Sequence, residues 1–340
     1  MAGSGSTTIL ITGVAGFIGF HLSRRLLSQG HTVLGVDNVN DYYDVGLKNE
    51  RLRMLKEFSS FRFFKENLAD QQAIEAIFRQ NTVNIVINLA AQAGVRYSLV
   101  NPQSYVESNV TGFVNMIDCA RRYEVSNFIF ASSSSVYGAN TTLPFSVKHH
   151  VDHPLSLYAA TKKANEMIAH SYASSFHLPV TGLRFFSVYG PWGRPDMALF
   201  LFTKHILNEL PIDVYNNGDM VRDFTYVDDV VEAIVRLIDH PAKPDPNWSA
   251  KSPVPYSSFA PYRIFNIGNK APMQLLEFIK TIEKELGKKA KLNYLPMQMG
   301  DVPAAIADAE ELYHAVGYQP SVNMEQGIHA FIEWYKSYYK

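Results

Sequence analysis

Six short runs rich in β-branched and aromatic residues recur along the first half of the chain. They are ILIT (9–12), HTVLGVD (31–37), FRFF (61–64), VNIVINLAA (83–91), NFIFASS (127–133) and PVTGLRF (179–185), and helix-length amphipathic stretches separate them. Strands joined by helical crossovers run parallel, because a crossover returns the chain to the edge from which it started. Ile85, Val86 and Ile87 are apolar in succession, which suits a strand covered on both faces, as in a doubly wound sheet. The alternation breaks near residue 185 of 340, and at ~150 residues per domain a second domain is expected. Past that point lie a helix around 198–209 and a proline-rich stretch (Pro241, Pro244, Pro246, Pro253, Pro255, Pro261) that reads as a surface insertion or linker. A short strand over 264–269 and helical spacing over 273–286 and 325–339 follow. The expectation is an α/β chain. Residues 1–185, with returning segments near 223–240 and 263–269, form a doubly wound parallel sheet, and the rest of 186–340 forms a smaller α+β domain.

Thirty-one Lys and Arg against 32 Asp and Glu leave a net charge of -1, without the basic excess that a nucleic-acid partner would demand. Hydrophobic residues at 47% and charged residues at 19% describe a packed globular chain rather than a disordered one. Cys119 stands alone, which forbids an intrachain disulfide and a Cys-based zinc site and fits a reducing, cytoplasmic setting. No run of 18 apolar residues points to a membrane span. Met1–Ser6 read as a flexible start without the basic region of a signal peptide. His149, His150 and His153 form H-H-x-x-H in a loop, where no helix fixes their spacing, and they read as solvated rather than as metal ligands.

Gly13, Gly16 and Gly19, in T-G-V-A-G-F-I-G, follow the first strand and open the first helix. That placement allows a tight turn, close approach of backbone N–H groups to a pyrophosphate, and an anion at a helix N-terminus. Asp37 ends the second strand, where a carboxylate accepts from the adenosine ribose and repels a 2′-phosphate. A Rossmann-type site for NAD rather than NADP is therefore expected, with Asn67 and Leu68 after the third strand near the adenine.

Tyr158 and Lys162 are spaced i,i+4 in the helix-like segment SLYAATKKANE, so both side chains share one face. The ammonium, added to the charge of an oxidised nicotinamide, is expected to lower the phenol pKa and make it a general base. The run Ser132–Ser135 lies at the carboxyl edge of the sheet, where doubly wound folds bind ligands, and Ser133 is the expected hydroxyl partner.

With TGxxGxxG, a serine strand and YxxxK in that order, the chain resembles the extended short-chain dehydrogenases/reductases. Through VDNVNDYYDVGLK (36–48), LAAQAGVRYSLVNP (89–102), RFFSVYGPWGRPDMALF (184–200), RDFTYVDDVVEAI (222–234) and GDVPA (300–304) it resembles, within them, the UDP-glucuronate 4-epimerases. The resemblance implies a bound NAD, a UDP-sugar as the small-molecule substrate, a homodimer, and a place in polysaccharide biosynthesis. It implies further cofactor contacts from Phe17, Ile18 and Asn38, from Leu89, Ala90 and Ala91, and from Asn109 and Phe185. It places Arg222 and Asp301 on the UDP diphosphate and ribose. Asn67 stands where the family carries Asp, Ser187 where it carries Thr, and Ala305-Ile306 where it carries Thr-Tyr.

Related dehydratases carry Asp-Glu directly before VYG and related decarboxylases a Glu at the second position, whereas this chain has Ser134 and Ser135. What remains is inversion at C4 through a 4-keto sugar. Such an intermediate from a uronate is a β-keto acid prone to lose carbon dioxide, so its carboxylate must be held by charge-assisted donors. Arg194 and Ser187 are expected in that role, with Ser134, Ser135 and Arg96 nearby. A decarboxylase, a UDP-galactose 4-epimerase and a non-catalytic NAD sensor are the alternatives.

Overall fold

A computed structural model describes residues 7–339, so the expectation for Met1–Ser6 lies outside the described residues. The first half runs β1 (Thr8–Thr12), α1 (Phe17–Ser28), β2 (Thr32–Val36), α2 (Val45–Leu55), β3 (Phe61–Phe64), α3 (Gln71–Gln80) and β4 (Ile85–Asn88). Then come α4 (Tyr97–Val100), α5 (Pro102–Tyr105), a π-helical segment (Val106–Thr111) and α6 (Gly112–Arg122). β5 (Asn127–Ser133), α7 (Leu157–Phe176) and β6 (Val180–Phe185) complete this half. The second half holds β7 (Ser187–Tyr189), α8 (Ala198–Leu207), β8 (Pro211–Val214), β9 (Val221–Tyr226), α9 (Val227–Ile238) and β10 (Tyr262–Ile267). It ends with β11 (Pro272–Gln274), α10 (Leu275–Leu286), β12 (Lys291–Tyr294), β13 (Ala304–Ala305), α11 (Glu310–Val316) and α12 (Met324–Tyr338).

Seven parallel strands form the central sheet in the order β10-β6-β5-β4-β1-β2-β3. The order reverses between β1 and β4, which opens a crevice beyond their carboxyl ends. Side-chain caps set where several helices start. Asp70 accepts from Ala73 N at 3.0 Å, Ser156 from Ala159 N at 3.1 Å, and Asn323 with Gln326 forms a capping box. β4 is shorter than the apolar run 83–91, since Ala90 N leaves the sheet to donate to Thr12 Oγ1 at 3.0 Å.

β9 carries a second, smaller sheet, pairing in parallel with β7 and β13 and antiparallel with β11, while β8 pairs with β12. The proline-rich stretch between α9 and β10 is tied to the edge of the large sheet: Ser257 bridges Arg263 antiparallel, Ile264 N donates to Tyr256 O at 2.9 Å, and Asp245 N to Ser258 O at 2.9 Å. No helix among the described residues is long and apolar enough to cross a membrane.

Candidate active site

A cleft of about 1080 Å³ runs from the glycine turn after β1, past the ends of β4, β5 and β6, to β9 and the 298–302 loop. All of the sequence-expected site residues line it except Asn109.

At the cofactor end Gly13 has φ +76, and a Cβ there would sit 2.9 Å from Ala90 N; a Cβ on Gly19 would meet Gly13 O at 2.1 Å. Only hydrogen fits. Helix α1 starts at Gly16 without a side-chain cap, so its first N–H groups face the cleft unclaimed by side chains, as a pyrophosphate requires. Asp37 accepts from Ala15 N at 3.0 Å and Val39 N at 2.8 Å, which fixes its carboxylate beside the turn. Burial raises its pKa, and the bonds from Val39 and Ala15 and the charges of Lys48 and Arg51 work against that rise. Asn67 accepts from Ala69 N and donates to Glu107. The residues present therefore fit a dinucleotide.

Asn109 lies behind this wall. It accepts from Gln92 N at 2.8 Å and donates to Gln92 O and Thr161 Oγ1, while its own carbonyl takes Asn165 Nδ2 at 2.6 Å. A π-helical turn disturbs the local ladder, and side chains take up the carbonyl it frees. Asn109 thus holds Gln92, which does line the cleft.

The serine run divides by strand alternation. Ser132 donates to Glu166 at 2.7 Å, and that carboxylate is held bidentately by Arg184 at 2.8 and 2.9 Å, all of it buried. Ser133 points the other way, accepts from Ser135 N at 3.1 Å and lies beside the Tyr158 phenol. Burial pushes the phenol pKa up, while the Ser133 hydroxyl and the Arg194 charge pull it down. Lys162 is buried, and burial lowers its pKa to about 8. Its ammonium donates to Ala131 O at 2.9 Å. In this structure the Ser133 hydroxyl and the Arg194 charge, rather than Lys162, lower the phenol pKa.

At the substrate end Arg222 donates to Asp301 at 2.9 Å and to Val221 O and Pro303 O. Arg194 grips Asp196 through two bonds of 3.0 and 2.5 Å, and Tyr42 donates to the same carboxylate at 3.2 Å. Burial opposes the ionisation of Asp196, and the Arg194 charge outweighs it, so its carboxyl lies below the usual range. Arg96 lies over the Tyr215 ring at 4.9 Å. Asp196, Tyr42 and Tyr215 line the cleft although sequence reasoning did not single them out; the R-x-D spacing around Arg194 was the available signal for Asp196. No group of three metal-ligating side chains occurs among the described residues.

A parallel sheet with a glycine turn, a carboxylate fixed beside it and Tyr158 and Ser133 at one cleft defines a dinucleotide-dependent enzyme of small molecules. The chain belongs to the NAD dependent epimerase/dehydratase family, which it matches over residues 9–268. It is 54% identical over 332 residues to Protein CapI of Staphylococcus aureus, covering 98% of this chain and 99% of that one. To a probable UDP-glucuronate 4-epimerase of Rhizobium meliloti it is 46% identical, covering 97% of each. Its fold superposes with a TM-score of 0.86 and 31% identity on the UDP-glucuronic acid 4-epimerase of Bacillus cereus in complex with UDP-glucuronic acid and NAD, covering 97% of this chain and 99% of that one.

Proposed function

We propose that the chain interconverts UDP-glucuronate and UDP-galacturonate by inversion at C4′ through a transient 4-keto sugar. The observation that carries this reading is one cleft that joins the Tyr158–Ser133 pair to the Arg194 guanidinium, with serines and no carboxylate at 134 and 135. Bound NAD supplies the reversible hydride acceptor at C4′. Tyr158 takes and returns the O4′ proton, and Ser133 shares the resulting hydrogen bond. Arg222 and Asp301 hold the UDP end while the keto sugar turns to present its other face. Arg194, Ser187, Ser134 and Ser135 keep the sugar carboxylate ionised and hydrogen-bonded, which opposes loss of carbon dioxide.

The reading includes two lobes divided near residue 185, a cytoplasmic location suited to the lone Cys119, and a homodimer. Exposed Leu99, Val100, Val106 and Met167 on adjoining helical segments offer apolar surface to a second copy.

The test is chromatography and mass measurement of the nucleotide sugars formed from UDP-glucuronate without added cofactor. Conversion to an epimer of equal mass, reached also from UDP-galacturonate, supports the reading. A dominant pentose product would make the chain a decarboxylase, a preference for UDP-glucose would make it a UDP-galactose 4-epimerase, and no conversion with NAD bound would make it a sensor.

A further inference from the structure

Arg194 sits in the loop Gly190-Pro191-Trp192-Gly193-Arg194-Pro195, and the carbonyls just before it are taken by side chains of the other half. His21 Nε2, on α1, bonds to Pro191 O at 2.9 Å. Arg51 Nη2, on α2, donates to Trp192 O at 2.6 Å and reaches Gly193 O at 3.4 Å. Three successive carbonyls are thus taken by two side chains of the dinucleotide half. Trp192 has φ +60, a left-handed conformation that a bulky side chain seldom adopts. Its ring packs against Phe20, Trp334 and Tyr338. A backbone so placed needs an outside hold, and the hydrogen bonds to its carbonyls supply one.

The same guanidinium reaches the cofactor turn. Arg51 Nη1 donates to Ala15 O at 2.7 Å, between Gly13 and Gly16, and to the Tyr43 hydroxyl at 2.8 Å. Arg51 is 0% exposed, and no carboxylate pairs with it directly among the described residues. Burying a cation against carbonyls and a phenol, with no carboxylate in direct contact, is costly where an apolar side chain would pack, so packing by itself does not account for it. His21 has a similar setting. Its side chain is 12% exposed, and burial lowers its pKa to about 4. The ring is therefore neutral near pH 7 and presents its Nε2–H to Pro191 O, since a carbonyl can only accept.

We propose that Arg51, with His21, is a positioning residue for Arg194: it sets the carbonyls of Pro191, Trp192 and Gly193 while holding Ala15, and so ties the carboxylate-binding guanidinium to the dinucleotide turn. The proposal rests on the reading of Arg194 as the cation that meets the sugar carboxylate. It deepens that reading by making selectivity for an acidic sugar depend on a residue that touches neither substrate nor cofactor. Lysine at 51 keeps the charge, but its ammonium lacks the planar fork that spans Ala15 O and Trp192 O together.

The test measures binding of UDP-glucuronate and UDP-glucose by calorimetry in a Tyr158→Phe background that retains NAD, since the two ligands differ only in the carboxylate. Arg51→Lys is expected to reduce the preference for UDP-glucuronate by ~10-fold or more, because a misplacement of about 1 Å is enough for losses of that order. It is expected to leave UDP-glucose affinity within ~2-fold, as no contact to the nucleotide changes, and to speed NAD release. Should Arg51→Lys fail to fold, His21→Leu removes one of the holds at an apolar position and is expected to lower the same preference, and His21→Gln, which still donates to Pro191 O, is expected to restore it. A parent protein with no preference for UDP-glucuronate would overturn the carboxylate reading and the proposal with it. A selective parent whose preference survives both Arg51→Lys and His21→Leu would overturn the proposal alone. Equal losses on both ligands with a lower Tm would assign Arg51 to folding and would also overturn it.

Discussion

The guanidinium of Arg194 closes on the carboxylate of Asp196 with bonds of 3.0 and 2.5 Å, so the cation proposed to meet a sugar carboxylate already holds a carboxylate of its own chain. A partly exposed pair of this kind is worth ~0.2–1 kcal/mol, little enough for a ligand to displace. Asp196→Asn removes the internal competitor and is expected to lower KM for UDP-glucuronate by ~2–5-fold on that scale, with kcat little changed. A raised KM would mean that Asp196 orients Arg194 rather than competes for it.

Arg194→Ala removes the cation itself. If it binds a desolvated carboxylate, the loss in kcat/KM on UDP-glucuronate is expected to be ~2–5 kcal/mol, with residual turnover of UDP-glucose spared. Equal losses on both sugars would place the residue in the fold or on the diphosphate.

Tyr158→Phe is expected to lower turnover by ~10²-fold or more, the usual scale of a general base. Ser133→Ala tests its partner through pH. The proposed base would act as phenolate; burial already raises its pKa, while the Ser133 hydroxyl lowers it. Losing that hydroxyl raises the pKa further, so the acid limb of the kcat/KM profile should move to higher pH. An unmoved limb would remove Ser133 from the proton path.

Lys162 carries a stability signature of its own. Its pKa falls from 10.5 in the ordinary range to about 8 in the fold, so between those values the unfolded chain binds more protons than the native one. Stability should therefore rise with pH across that window. Lys162→Met abolishes the penalty and is expected to raise stability below pH 8 by up to ~3 kcal/mol while crippling turnover. Thermal melts of the two proteins from pH 6 to pH 10 should converge as the pH increases. A fixed gap would mean that the ammonium is not penalised by burial.

Purified protein is expected to carry NAD, identified by mass after denaturation. Asp37→Asn should weaken retention and narrow the preference over NADP, since it loses a charge and disturbs the bonds to Ala15 N and Val39 N. Each charge-assisted bond is worth ~1.5–3 kcal/mol. Unchanged retention and unchanged preference would remove Asp37 from cofactor selection.

The strands and the glycine turn were legible because their signals are local: apolar runs, periodicity, and glycines that no Cβ could replace. The serine run was legible only to within its neighbours, since deciding between Ser132 and Ser133 requires knowing which face of β5 meets Glu166. Of the charges in RDFTYVDD, Arg222 alone faces the cleft. Asp223 is spent on the backbone N–H groups of Asn269, Lys270 and Ala307, and Asp229 on those of Ser321 and Val322. Arg51 and His21 gave no signal, because their partners are carbonyls 141 and 170 positions away. Backbone acceptors carry no residue type, so no pattern of side chains announces them.

The proline-rich stretch that folds back on β10 has a consequence for the molecule as a whole. An open parallel sheet ends in bare strand edges, each a template on which another chain can add a strand. At the β10 side the bridge from Ser257 to Arg263 and the bond from Ile264 N to Tyr256 O occupy the first residues of the edge, and the prolines supply few N–H groups with which to extend the ladder. The segment works as a hem on that side: it covers the start of β10, where a neighbouring chain would otherwise add a strand.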